Sequence, residues 1–404
     1  MQRRTLLSTI GLSTLGAMAG LGRPGAADAA TPGVSATEIK IGNTEAYSGP
    51  ASAYGAIGHG LVAYFKMVND QGGVGGRKIN FITVDDGYSP PRTVEQTRRL
   101  VEQDGVAFIL NALGTPNNTA IEKYMNAKKV PQLFVATGAD KWGDYQHYHW
   151  TMGWQPSYRI EAAVYAKDIL ANKPGAKIGI LYQNDDFGKD YIAGMQDGLG
   201  AKFKAMVVKT ASYEVTDPTI DSQIVTLQGA GADTLLVAAT PKFAAQAIRK
   251  VFDINWKPLF FMTNVSSSVG AVIKPAGFDK AVGVTTVGYA KDPTDAAWAN
   301  DAGMQEWRGF MAKYMPNADL SDANYVYAYG VGVTTMQVLR QCGKDFSRAN
   351  IMKQAANLHD LVVPTLLPGI KINTSPTNYH PIRQMQLQKW NGKTWERFGQ
   401  IVGA

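Results

Sequence analysis

A chain of 404 residues exceeds one ordinary domain of roughly 100–200 residues, so more than one hydrophobic core is expected. Hydrophobic residues make up 45% and charged residues 18%, which excludes a disordered, charge-rich chain. The formal charge is +7, yet no segment holds more than two adjacent Lys or Arg residues, so the basic face of a nucleic-acid binder is not expected. A single cysteine, Cys342, excludes an internal disulfide framework and any multi-cysteine zinc site.

The first thirty residues have the layout of an export signal. Arg3 and Arg4 precede a mildly apolar run from Thr5 to Leu21, and a small-residue stretch follows at Ala26-Ala27-Asp28-Ala29-Ala30. Cleavage is expected near residue 29 or 30. The Arg3-Arg4-Thr5-Leu6-Leu7 order resembles a twin-arginine signal, and a general secretory signal stays open beside it. The apolar run is too short and too diluted to span a bilayer, which takes about 20 residues. No cysteine stands just after it, so lipid attachment there is not expected.

Beyond it, strands and helices alternate. Strands are expected at 38–42, 78–84, 106–110 and 130–136, with helices at 51–69, 90–104 and 116–128 between them. In the first helix Ile57, Leu61, Tyr64, Phe65 and Val68 recur at three- and four-residue spacings, one apolar stripe. The rhythm repeats with helices at 162–170, 189–199, 219–228 and 243–252 and strands at 177–182, 234–239 and 259–263. A strand from Val282, helices near 296–314 and 323–341, and a Pro/Asn-rich tail complete the chain. Such alternation predicts an α/β fold of two doubly wound parallel-sheet lobes, divided near residue 156.

Catalytic readings find little support. Gly72-Gly73-Val74-Gly75-Gly76 follows a helix and precedes a strand, the reverse of a dinucleotide loop, and reads as a turn. No P-loop and no GxSxG nucleophile elbow occurs. His147-Tyr148-His149 lacks the further ligands a metal needs, so it reads as a surface or packing feature. Cys342 reads as a buried thiol, and Asp85-Asp86 and Asp185-Asp186 as turn and cap residues at strand ends. No enzyme activity, cofactor or metal is expected.

Binding fares better. The stretch Ala46-Tyr47-Ser48-Gly49-Pro50-Ala51-Ser52-Ala53-Tyr54-Gly55 resembles the first strand-to-helix loop of branched-chain-amino-acid-type (leucine/isoleucine/valine) solute-binding proteins. So does Val68-Asn69-Asp70-Gln71-Gly72-Gly73-Val74-Gly75-Gly76-Arg77-Lys78-Ile79, followed by Val84-Asp85-Asp86. Asn184-Asp185-Asp186-Phe187-Gly188-Lys189-Asp190 looks like the second-lobe loop of that family, and the likeness runs in order along the chain after the export signal. The resemblance implies a periplasmic binding protein type I fold, two lobes joined by three crossings near 156, 283 and 364. Lobe 1 would comprise 31–156 and 284–363, lobe 2 157–283 and 364–404. It further implies a periplasmic receptor, monomeric, that hands a small-molecule ligand to the permease subunits of an ABC importer, without membrane insertion or nucleic acid. A ligand-sensing partner of a signalling receptor and an α/β enzyme are the alternatives.

Carried over residue by residue, the pocket positions implied by the resemblance fall on Tyr47, Ser48 and Tyr54, then on Gly114 and Thr115 in place of a serine-rich carboxylate grip, then on Thr137 and Gly138. In the second lobe Phe187 takes the place of a covering aromatic and Asn264 that of an acid that neutralises the ligand's ammonium. Val265, Ser266, Ser267 and Ser268 beside it carry no charge, and a buried unpaired ammonium is costly. The expected ligand is therefore a small apolar or aromatic carboxylate or amide without a free amine, ahead of a branched-chain or aromatic amino acid. Asp185 or Asp186 would keep the amino acid in play as a substitute acid. Trp142, Trp150 and Trp154 are open between packing and pocket lining.

Overall fold

Short strands buried on both faces need helices on either side, and the chain supplies them twice. The computed structural model describes residues 31–403; the expected export signal lies outside the described residues. The first lobe begins with β1 (Glu38–Glu45), α1 (Gly55–Asp70), β2 (Lys78–Asp85), α2 (Pro90–Glu102), β3 (Phe108–Leu110), α3 (Thr115–Ala127), β4 (Gln132–Val135) and β5 (Thr151–Gly153). Its strands run in the order β2-β1-β3-β4-β5, all parallel. The α1 stripe of Ile57, Leu61, Tyr64, Phe65 and Val68 is buried against the sheet. Pro90 and Pro91 occupy the first turn of α2, where a missing N–H costs no helix bond.

The second lobe follows: α4 (Tyr158–Asn172), β6 (Ile178–Gln183), α5 (Asp186–Leu199), the single turn α6 (Phe203–Met206), β7 (Val207–Tyr213), α7 (Asp221–Gly229), β8 (Thr234–Ala238), α8 (Pro241–Asp253), β9 (Leu259–Met262), the short α9 (Lys274–Ala276) and β10 (Thr285–Gly288). The chain then returns to pack α10 (Ala302–Tyr314), α11 (Ala323–Gln341) and α12 (Arg348–Ala355) into the first-lobe core. The last strands, β11 (Gln384–Trp390), β12 (Trp395–Arg397) and β13 (Val402–Gly403), join the second sheet. Its order is β12-β11-β10-β9-β8-β6-β7, with β13 on β11. The Pro/Asn-rich tail thus ends in an antiparallel ribbon, and β7 is an edge strand whose mostly exposed polar residues carried no apolar signal.

Two of the three expected crossings move. Thr285 is registered with Phe261 of β9 and Lys389 of β11, so β10 belongs to the second sheet and the crossing falls after Gly288, not at 283. Val363, Leu366, Ile370, Tyr379 and Ile382 are buried in the first-lobe core, and the chain re-enters the second lobe only at Met385. The crossing expected at 364 therefore lies near residue 383. Composition marks a break in both places, but hydrogen-bond partners and packing decide the side on which a segment falls. No helix among the described residues is long and apolar enough to cross a membrane.

Candidate ligand-binding cleft

In a sheet of order 2-1-3-4-5 the connections on either side of the first strand diverge, which opens a crevice at the carboxyl ends of β1 and β3. In the second sheet the chain likewise departs in opposite directions from β6 and β8. The two crevices face one cavity of about 110 Å³. Tyr54 follows β1, Tyr88 follows β2, Gly114 and Thr115 follow β3, and Thr137 follows β4; all line the cavity. From the second lobe Phe187 follows β6, Thr240 follows β8 and Asn264 follows β9. Strand ends thus deliver one or two side chains each.

The walls are largely aromatic and already braced. Tyr158 packs edge-on to Phe187 with ring centres 4.9 Å apart and stacks on Tyr191 at 5.4 Å. Tyr327 meets Trp154 edge-on at 4.9 Å. Such pairs contribute about 0.5–1.5 kcal/mol each beyond burial, so the rings are held before any ligand arrives. Polar side chains, among them Gln155, Thr240, Asn324 and Gln388, stand between the rings. The hydroxyls of Thr115 and Thr137 lie 2.5 Å apart at the start of α3, and Gln155 Nε2 donates to the Tyr158 hydroxyl at 3.1 Å. Gly114 sits at φ +93°, and a Cβ there would come within 2.5 Å of the Tyr88 ring, so only glycine lets that ring reach the cavity.

Of the ten residues expected to contact ligand, Tyr54, Gly114, Thr115, Thr137, Phe187 and Asn264 line this cavity. Tyr47, Ser48, Gly138 and Asp185 do not. Tyr47 turns its hydroxyl onto Thr83 at 2.7 Å, and Ser48 donates to Asp85 at 2.6 Å, which ties the first loop to β2 rather than to the cleft. The Gly138 carbonyl accepts the Tyr158 N–H at 2.7 Å, a brace at the first crossing. Asp185 caps α5, accepting from Gly188 N and from Gln183 Nε2 at 2.5 Å. Trp142 and Trp154 are buried packing residues, and Trp150 is half-buried beside them; none lines the cavity.

The loop-by-loop sequence reading missed the acid nearest Asn264. Glu161, in the first turns of α4, is fully buried and accepts from Asn264 N at 2.8 Å, from Asn264 Nδ2 and from the Tyr165 hydroxyl at 2.6 Å. Burial pushes its carboxyl up to about 7 against the pull of these donors. The premise that this end of the pocket lacks a negative group is therefore corrected: the charge comes from a helix, one layer behind the loop. The signal was present, because Tyr158, Glu161, Ala162 and Tyr165 form one buried stripe and Glu161 is its sole acid. Also missed were Tyr88, Tyr158, Lys291 and Asp292, all lining. Lys291 is engaged by Asp301 at 2.7 Å, and burial raises Asp292 to about 6.

The lobes meet directly around the cleft. Tyr54 donates to Val265 O at 3.1 Å, and Gly270 N donates to Ser321 O at 2.9 Å. Ser268 Oγ donates to Asp322 Oδ1 at 2.9 Å and accepts from Ala323 N, so the start of α11 is capped from the opposite lobe. At the other rim Asp140 N donates to Asp190 at 2.7 Å, and Lys141 spans Glu122 and Asp186 at 3.4 and 3.6 Å. This is a closed arrangement.

A family model described as periplasmic binding protein matches residues 38–394. The leucine-specific-binding protein of Salmonella typhimurium is 26% identical over 176 residues, 42% of this chain; the match spans about half (46%) of that relative's length. Among solved structures, a branched chain amino acid ABC transporter protein from Thermus thermophilus with bound valine superposes with a TM-score of 0.82 at 14% identity, covering 91% of this chain and 97% of that one. A solute-binding protein of an ABC transporter from R. palustris in complex with benzoate gives 0.75 at 20% identity, covering 91% and 98%. With that match over most of its length and the two-lobed architecture, the chain belongs to the periplasmic binding protein family.

Proposed function

We propose that this protein is an extracytoplasmic receptor that closes its two lobes on a small apolar or aromatic carboxylate or amide, or a branched-chain or aromatic amino acid, and delivers it to the permease of an ABC importer. The observation that carries this reading is the cleft itself: a small cavity between two lobes, walled in part by the rings of Tyr54, Tyr88, Tyr158, Phe187 and Tyr327, with hydroxyls, the amides of Gln155, Asn264, Asn324 and Gln388, and Lys291 already engaged by Asp301. Such a site binds and orients, and no group in it is arranged as nucleophile and base. Tyr54, Gly114, Thr115, Thr137, Phe187 and Asn264 are the proposed ligand contacts, with the carboxylate end toward Thr115 and Thr137 at the start of α3, where a helix N-terminus favours an anion. The valine and the benzoate bound in the two superposed structures support this class of compound. Residues 1–30 would direct export to the periplasm and be removed there, and the mature protein would work as a monomer.

A thermal-shift screen of the protein freed of co-purified ligand tests the reading. Stabilisation by at least one small carboxylate, amide or amino acid is expected, with mass spectrometry of the compound released on denaturation naming the native one. A screen in which none of these classes raises the melting temperature overturns it.

A further inference from the structure

Asn264 is the polar residue of the second-lobe wall that follows β9 directly, and what it offers a ligand depends on which end of its carboxamide faces the cavity. Its backbone N–H and its Nδ2 both point to Glu161, on α4. An ionised carboxylate only accepts hydrogen bonds, so Asn264 must turn its NH₂ inward to meet it. The Tyr165 hydroxyl, itself held between Glu161 and Met262 O at 2.9 Å, fixes the carboxylate from behind. Asn264 Oδ1 accepts no hydrogen bond among the described residues, is not among the polar atoms sealed from solvent, and belongs to a residue that lines the cavity.

We propose that Glu161 is a specificity-determining positioning residue: by claiming the Asn264 NH₂, it makes the second-lobe wall present a bare acceptor, and so selects ligands that carry an N–H or O–H donor at that end. The inference rests on the reading of the cleft as a small-carboxylate site. It also follows that an ammonium is not unpaired there, because the Asn264 carbonyl meets it and the Glu161 charge lies directly behind.

Glu161→Gln reverses the logic. The carbonyl of the substituted side chain would stay with Asn264 N and the Tyr165 hydroxyl, leaving its NH₂ toward the Asn264 carboxamide. Two NH₂ groups cannot face one another, so Asn264 turns its oxygen inward and shows a donor to the cavity. The test uses two probe pairs that share a carboxylate and differ in whether a hydrogen-bond donor is present: L-leucine against 4-methyl-2-oxopentanoate, which differ beside the carboxylate, and 4-hydroxybenzoate against 4-fluorobenzoate, which differ at the far end. Titration calorimetry at pH 8, where Glu161 is ionised, is expected to show the donor member bound at least tenfold more tightly by the native protein. In Glu161→Gln that preference disappears or inverts, and Asn264→Ala erases it. An unchanged preference in both variants overturns the proposal. If neither pair binds the native protein, the small-carboxylate reading of the cleft fails instead. A ligand-free readout then decides the positioning by itself: the Asn264 side-chain NH₂ should give a strongly downfield proton in ¹⁵N-resolved NMR that is lost in Glu161→Gln, and its insensitivity to that change overturns the proposal.

Discussion

The two faces of the cleft are built by the same rule and carry opposite chemistry. On the first lobe, the loops after β3 and β4 place two hydroxyls at the start of α3, and the dominant field is that of a helix N-terminus. On the second lobe, the loop after β9 places one amide whose donors are consumed by a buried acid. The same strand-end geometry thus yields an anion-accepting face and a donor-accepting face. The difference arises one layer back: α3 begins at the first face, whereas α4 presents Glu161 behind the second. A ligand held between them is oriented end to end, and the aromatic rings on both sides set its girth.

Several changes would break or sharpen that contrast. Removing the covering ring with Phe187→Ala has the largest expected effect. The wall loses a buried aromatic side chain worth roughly 1.5–3 kcal/mol of burial, so binding of the best ligand from the screen should weaken by about 10- to 100-fold in calorimetry. Closure comes next. A methyl group at Gly270 would lie 2.7 Å from Ser321 Oγ and 2.9 Å from Asp322 N, so Gly270→Ala wedges the lobes apart without touching the cavity. It should cost roughly tenfold in affinity, about 1.4 kcal/mol, with small-angle scattering showing a larger radius of gyration in the presence of ligand. On the first-lobe face, Thr137→Val removes the hydroxyl partner of Thr115 and of the Trp142 indole. A net hydrogen bond is worth about 0.5–1.5 kcal/mol, so affinity should fall by roughly two- to tenfold. Tyr47→Phe is the smallest: the lost contact to Thr83 lies outside the cavity, so stability should drop slightly while affinity stays within about twofold.

Burial raises carboxyls on both lobes, Glu45, Asp86 and Glu122 on the first among them. Glu161 and Asp190, raised to about 7, both belong to second-lobe helices, while Asp292, at about 6, sits on the second crossing. For Glu161 and Asp292 the first cause is burial, and for Asp190 it is burial reinforced by Asp140 and Asp186. Each folded value lies above its unfolded one of roughly 4, so the folded chain holds more protons between the two. Stability from these groups is fully present below about pH 4 and is lost as pH rises through 6 to 7. The melting temperature should therefore fall between about pH 5.5 and pH 8, and Asp190→Asn, which keeps an acceptor for Asp140 N, should flatten part of that slope. A melting temperature that climbs steadily over this range would contradict the assignment.

Much of this was legible along the chain. The stripe of α1, the proline start of α2 and the buried runs of β6, β8 and β9 follow from period and composition, because those elements bury a continuous face whatever surrounds them. β7 and the β11–β13 ribbon were not legible. An edge strand solvated on one side, or a ribbon completed by distant partners, need not repeat any apolar pattern. The loops that reach the cavity were recognisable at Tyr54, Gly114, Thr115, Thr137, Phe187 and Asn264. Tyr47 and Ser48 share the first loop with Tyr54 but turn to β2, since direction within a loop depends on hydrogen bonds to a strand more than thirty residues away.

By itself, then, the sequence determined the alternating α/β order, the stripes that face the sheets, and the strand-end loops from which a cleft would be made, since each depends on residues near one another in the chain. Only the tertiary structure decided where the crossings fall, which lobe owns β10, and that Glu161 stands behind Asn264. Those depend on pairings between segments 24 to 104 residues apart, and a side chain's chemistry in a buried site is set by the partner it meets there.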